Sequence, residues 1–322
     1  MTMGSDPVRD ARRAELRQRY TSWLQADVVA LQRARAATFR RLIPGCSAGL
    51  AVLVLVGAAL FATGWPSGWW TDPLSLARIA VAIGGAWWIA RTFLVFAPDA
   101  DDMAMASQDV RLDALVRRWA EQVRPGATYE PSARTDARWT EIARIVDGHP
   151  TQMGSVFGWE QDGAEVRVAE SLVLSAASND DDDGGEARFR GWAAMATVPR
   201  PLTAAVRVRA RGNPRADACD DERFQPVEIA ALTAAYDVRA TDPDVAARIL
   251  ARAVPRLQAE ARLGRHVHLG VAGPSVVVLL ETDDSWSHRL HAKFGENHAL
   301  DLGETLDLMH DVIRAVSSAR DD

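Results

Sequence analysis

Between Arg41 and Asp72 no residue is charged, and the apolar stretch that opens there runs, with one break, from Leu42 to Ala97. Two segments, 42–63 and 74–97, flank the turn Gly64-Trp65-Pro66-Ser67-Gly68-Trp69-Trp70-Thr71-Asp72-Pro73. A helix rises about 1.5 Å per residue and needs about 20 apolar residues to cross a bilayer core, so the pair predicts a transmembrane helical hairpin. Arg78 and Arg91 interrupt the second segment near its expected ends, where long cationic side chains reach back to the headgroups. With Arg40 and Arg41 ahead of the first span, Trp65, Trp69 and Trp70 in the turn, and Trp87 and Trp88 near the far end, they make a predicted membrane-interface set. Gly45 and Gly49, then Ala82, Ala86 and Ala90, recur at every fourth position, a spacing that lets two helix backbones approach. The competing reading is a buried hairpin in a soluble core, which fits poorly because soluble helices seldom run apolar on all faces.

Charge then orients the hairpin. Residues 8–41 hold nine arginines, whereas the turn between the spans has no Lys or Arg. The positive-inside bias therefore places both termini in the cytoplasm of a two-pass inner (plasma) membrane protein. A secretory signal peptide is not expected, since a long charged segment precedes the first apolar run. Residues 1–98 carry a net charge of +6 and residues 99–322 a net charge of −12. So acidic a C-terminal part argues against nucleic acid as its partner. Lys293 is the only lysine, and the two cysteines, Cys46 and Cys219, lie too far apart in the predicted layout to pair.

On either side of the hairpin the period is helical. Leu16, Tyr20, Trp23, Leu24, Val28 and Leu31 make one apolar stripe, and Met105, Leu112, Leu115, Val116, Trp119 and Val123 a second. A hairpin brings these two helices together, which predicts an antiparallel stalk ending at Arg124-Pro125-Gly126. An amphipathic N-terminal helix lying on anionic lipid is the alternative. Residues 127–134 read as a linker and 136–146 as a short helix.

From about Thr151 the pattern alternates. Strands are predicted over 154–160, 165–175, 187–198, 202–209 and 235–240. Asp242-Pro243-Asp244 opens a helix over 245–263 that Pro255 should bend or split. Residues 266–271 and 275–281 predict a hairpin about Ala272-Gly273-Pro274, and 302–319 a closing helix. Strands followed by helix, hairpin and helix predict an α+β domain on an antiparallel sheet.

Chemistry-bearing signals are sparse. His288 and His291 stand three apart and His298 follows Glu296; on a helix such spacing could ligate a metal, but it matches no zinc motif and Gly295 interrupts it. His266 and His268 read as a half-exposed cross-strand pair. The run Asp180 to Asp183 lacks the spaced ligands of a calcium loop. There is no Gly-x-Ser-x-Gly elbow, Walker loop or dinucleotide-type glycine loop, and acidic neighbours blunt Cys219.

Three runs carry a family resemblance: Phe189-Arg190-Gly191-Trp192, Asp221-Glu222-Arg223-Phe224, and Tyr236 to Leu250 with its Asp242-Pro243 and Ala247-Arg248-Ile249-Leu250. They resemble the bacterial membrane family called domain of unknown function 3137 over roughly residues 30–318. The resemblance implies two N-terminal spans, a cytoplasmic domain and no catalytic residues. Its motif reads as structural, with Phe224, Tyr236 and Val238 in the core and Ala247 with Leu250 facing the sheet.

The sequence thus predicts an N-terminal amphipathic helix (1–41), a transmembrane hairpin (42–97), a stalk helix (98–126) and an α+β domain (127–322). The expected role is a membrane-anchored interaction or scaffold module without catalytic activity or cofactor, its partners the lipid bilayer and an unidentified protein. The alternatives are a membrane-tethered metal-dependent hydrolase using His288, His291 and His298, and a sensor of lipid or a small ligand. Oligomeric state stays open.

Overall fold

The computed structural model describes residues 7–37, 98–131, 137–146, 149–174, 187–211, 223–282 and 294–319. Two compact units divide the chain: Met1–Gln25 with Asp113–Asp322, and Ala26–Leu112. In the smaller unit, residues 26–37 and 98–112 are helical, Val28, Leu31 and Leu112 are buried, and Arg35 pairs with Asp109 at 3.5 Å.

The predicted spans 42–63 and 74–97 lie outside the described residues, as do Arg40, Arg41, Trp65, Trp69, Trp70, Arg78, Trp87, Trp88 and Arg91. Among the described residues no helix is long and apolar enough to cross a membrane. The two longest described helices are Pro98–Val123 and Glu296–Ser317, and each carries several Asp and Glu residues along its length. A charged side chain at the bilayer centre costs several kcal/mol, so neither helix can take a span's place. The two-pass topology, the inner-membrane localisation and the hairpin fold class are corrected accordingly. What the structure shows is a mostly antiparallel sheet with helices packed on it.

The larger unit is built on seven strands: β1 Thr128–Glu130, β2 His149–Gln161, β3 Ala164–Leu174, β4 Ala187–Ala210, β5 Gln225–Pro226, β6 Tyr236–Ala240 and β7 Val267–Glu281. Their order is β1-β2-β3-β4-β6-β5, with β7 also on β4, and every pairing is antiparallel. Although continuous, β7 reverses at Gly273, whose φ is +55°, and the Glu281 N–H donates to the His266 carbonyl at 3.0 Å. Its second half pairs with β4 from Gly191 to Thr197 and its first half with β4 from Val206 to Val208. The β4 chain must therefore bend around the tip of the β7 hairpin, and Pro199-Arg200-Pro201 is where it does so. Beyond the bend β4 gains β6 as its other neighbour in place of β3. Both outer strands are very short, and β5 carries Pro226, devices that blunt a sheet edge.

One face of the sheet is closed by a 3-10 helix, Ala137–Arg144, where the sequence predicts a short helix. Trp139, Ile142, Ile145 and Val146 from this segment pack on Val156, Val173, Phe189, Ala193, Val277 and Leu279. Helices α3 Pro243–Ala251, α4 Val254–Arg262 and α5 Glu296–Ser317 pack on the sheet, and α1 Pro7–Trp23 packs on α5, beside the last part of α2 Pro98–Val123. α5 is buried along most of its length. Asp242 caps α3, its Oδ1 accepting from the Asp244 and Val245 N–H groups at 3.1 Å each. Pro255 splits the long predicted helix, since it stands in the first turn of α4, where a missing N–H costs nothing.

α1 meets α2 as the two stripes require. Tyr20 packs edge-on against Trp119, ring centroids 6.2 Å apart, and Arg19 Nη1 donates to the Gln122 carbonyl at 2.7 Å. Trp23 does not join the stripe; it is 59% exposed, because α1 ends there and the apolar line continues through Leu24. α2 ends at Val123, and β1 stands where the sequence reading expects a linker.

Candidate functional site

Two arrangements of charge stand out in the larger unit, one buried and one open. The buried one joins α1 to α5. Residues 9, 12, 13 and 17 of α1 are all arginine, and at helical spacing they fall on one side. Arg9 donates to Glu304 Oε2 through Nε at 3.2 Å and Nη2 at 2.8 Å, and Arg12 to the two Asp307 oxygens at 2.6 and 3.1 Å. Arg13 pairs with Glu304 at 3.0 Å and Arg17 with Glu296 at 2.7 Å. Arg124, just past α2, also bonds Asp307. Beside them Glu260 of α4, buried, pairs with Arg265 at 3.1 Å and Arg256 at 3.4 Å.

Each of the buried carboxylates Glu260, Glu304 and Asp307 thus faces at least two guanidinium groups. The electrostatics follow. The hydrogen bonds that Arg12 donates to Asp307 hold it above its ordinary range, whereas burial pulls Arg124 and Arg265 below theirs.

A histidine sits at the edge of this lattice. His310 packs on Trp159 with centroids 6.5 Å apart, its carbonyl accepts from Gln161 Nε2 at 3.4 Å, and its Nδ1 has no hydrogen-bond partner among the described residues. Burial, reinforced by Arg124 and Arg314, pushes its imidazole down to about 4.

The open arrangement is a groove of about 970 Å³ at the β4 bend. Its walls come from the β2–β3 turn at Asp162, the bend from Val198 to Leu202, the outer face of α3 at Arg248 and Arg252, and the end of α5 at Ser317 and Ser318. Arg252 Nη1 donates to the Ser318 carbonyl at 2.9 Å and to Ser318 Oγ at 3.0 Å, tying α3 to the end of α5. Arg200 and Arg248 are exposed and have no ion-pair or hydrogen-bond partner among the described residues. The lone carboxylate among the lining residues, Asp162, is 70% exposed and 3.9 Å from Arg314.

The predicted site residues fall elsewhere. His288 and His291 lie outside the described residues, as do Cys46, Cys219 and the aspartate run. His298 stands in the first turn of α5, half-buried. Among the described residues no group of three His, Cys, Asp or Glu side chains could hold a metal. His266 and His268 do not form the expected half-exposed pair: His266 precedes β7 and is exposed, while His268 is buried, accepts from the Ala210 N–H at Nδ1 and lies 3.5 Å from Glu281.

The motif residues divide similarly. Phe189, Tyr236, Val238 and Leu250 are core, but Phe224 is half-buried under the Arg207 guanidinium, 4.1 Å from its ring centre. Ala247 points outward, and Ala246 with Ile249 takes the sheet-facing role.

No family model matches the chain, and no curated protein matches it. A solved structure, the crystal structure of the mycobacterial trehalose monomycolate transport factor A, TtfA, is similar at 11% identity and a TM-score of 0.36, covering 61% of this chain and 95% of that one. So distant a likeness carries no argument about this chain.

No sequence motif marks the groove arginines. The i, i+4 spacing of Arg248 and Arg252 and the proline-flanked Arg200 are both visible in the sequence. What brings them together is the bend of β4 around β7, which no local pattern encodes.

Proposed function

We propose that the larger unit is a binding module without chemistry of its own. The observation that supports this reading is how three of its buried carboxylates are paired: Glu304 and Asp307 each meet two or more arginines that fasten α1 to α5, and Glu260 meets Arg256 and Arg265 beside them. Groups used this way stabilise a scaffold, and the interactions left for another molecule are on its surface. The arginine-lined groove is the most developed of these.

The reading is tested on the purified full chain by elemental analysis, by assay against generic phosphate and carboxylic esters with and without added zinc or manganese, and by crosslinking in the native cell. The expected result is no turnover, no stoichiometric zinc, manganese or iron, and a reproducible crosslinked partner protein. About one metal per chain, lost together with ester hydrolysis in the His288→Ala/His291→Ala variant, would overturn it in favour of a metal-dependent hydrolase.

A further inference from the structure

The groove at the β4 bend combines three properties that seldom meet on an ordinary solvated surface. First, Arg200 is displayed from a stiff support, since the prolines on either side of it fix their backbone φ. Second, Arg248 lies across the groove on α3, one turn before Arg252, whose guanidinium is partly engaged by Ser318. Third, the exposed rings of Pro199 and Pro201 give the same space an apolar side, while Val198 and Leu202, which also line it, are themselves buried. At about 970 Å³ it is at the upper end of small-ligand pockets, which run from about 300 to 1,000 Å³, and it is open along one side.

From these we infer that the groove binds an acidic peptide segment of a partner protein, with carboxylates on Arg200 and Arg248 and apolar side chains against the bend. Guanidinium groups suit this partner because their planar forks match carboxylates two bonds at a time. A flat anionic surface such as a bilayer cannot reach into a groove walled by the β2–β3 turn, α3 and the end of α5, whereas a peptide can, and a neutral or basic residue of that peptide can sit beside Asp162 on the rim. The β4 bend offers few backbone donors, with prolines at 199 and 201, so recognition runs through side chains and not through strand addition.

This inference rests on the binding-module reading, and its test separates the two. Fluorescein-labelled hexaglutamate is titrated into the full chain at low and high salt, followed by anisotropy, with hexalysine, inorganic phosphate and anionic vesicles as parallel probes. Hexaglutamate binding that weakens with salt, and falls by roughly tenfold or more in Arg200→Glu/Arg248→Glu, supports the groove. Both residues are exposed, so the variant should keep its thermal unfolding midpoint, and its gain of hexalysine binding would mark a reversed groove. Failure of hexaglutamate to bind, or binding unchanged in the variant, overturns the groove. Stronger binding of phosphate or vesicles than of hexaglutamate overturns the peptide as occupant. Native-cell crosslinks that persist in the double variant overturn the groove and leave the module reading standing, whereas their absence from the wild type counts against both.

Discussion

Gly303 of α5 lies directly against Leu16 of α1: a Cβ on Gly303 would come within 3.1 Å of both Leu16 δ-carbons. The contact seats the N-terminal helix between its arginine pairs, and Leu16 is fully buried in it. Filling it with a branched side chain must lift α1. Gly303→Val should destabilise the larger unit by about 2 kcal/mol through overpacking. Leu16→Ala should cost about 3 kcal/mol as a cavity. Because the two residues touch, the double variant should lose clearly less than the sum, as read by urea denaturation of all four proteins. Strict additivity would mean that α1 does not dock as described.

Gly191 leaves still less room for a substituent. Its φ is +154°, and an added Cβ would fall 2.0 Å from the Leu280 carbonyl oxygen on β7. Neither backbone can yield without breaking the β4–β7 pairing that holds the sheet together. Gly191→Ala should therefore cost about 4 kcal/mol or more, an exceptional value for one methyl group. A thermal melt within a few degrees of wild type would contradict the placement of β7.

That glycine shows how much of the fold was readable from the chain. Phe189-Arg190-Gly191 stood out as a strand motif, and its two marked residues prove to be a core side chain and a close backbone approach. The hairpin about Gly273, the α3 start at Asp242-Pro243 and the split at Pro255 were also legible, because proline, glycine and capping aspartate act locally. Long-range pairing was not legible. Residues 187–198 and 202–209 read as two strands, and nothing in their alternation says that β7 fits between their outer neighbours or that the bend between them borders a groove. The ionic lattice was hidden for the same reason: Arg9 and Arg12 lie 295 residues from Glu304 and Asp307, and a basic helix face looks the same whether it meets solvent, lipid headgroups or buried carboxylates. The apolar run 42–97, which dominates the sequence, lies outside the described residues.

His310 makes stability depend on pH. Burial pushes its imidazole from an ordinary 6.5 down to about 4, so the folded protein resists a proton that the unfolded chain accepts. The sign follows from linkage: the contribution is intact above pH 6.5, declines as pH falls, and is gone once pH passes below about 4. His310→Gln, which keeps a polar side chain of similar reach, should flatten this slope between pH 6.5 and 4 while changing stability little at pH 8. An unaltered slope in the variant would assign the acid sensitivity to other groups.

The clasp between α1 and α5 turns on Asp307, whose carboxylate accepts from Arg12 and from Arg124 while itself nearly buried. Removing the charge leaves two guanidinium groups facing each other across the space it occupied. Removing Arg12 instead leaves the carboxylate still bonded by Arg124. The two deletions should therefore be unequal. Asp307→Asn should cost about 3 kcal/mol, as expected when a buried pair loses one member. Arg12→Met, which keeps much of the aliphatic stem, should cost about 1 kcal/mol, in the range of a partly exposed pair. Combining them removes one of the two stranded cations, so the double variant should be no less stable than Asp307→Asn alone. Denaturant midpoints at neutral pH decide the matter, and they should change little with added salt because the pair is shielded from counterions. Equal losses from the two single variants, or full recovery of Asp307→Asn in high salt, would show instead an exposed and interchangeable set of surface pairs.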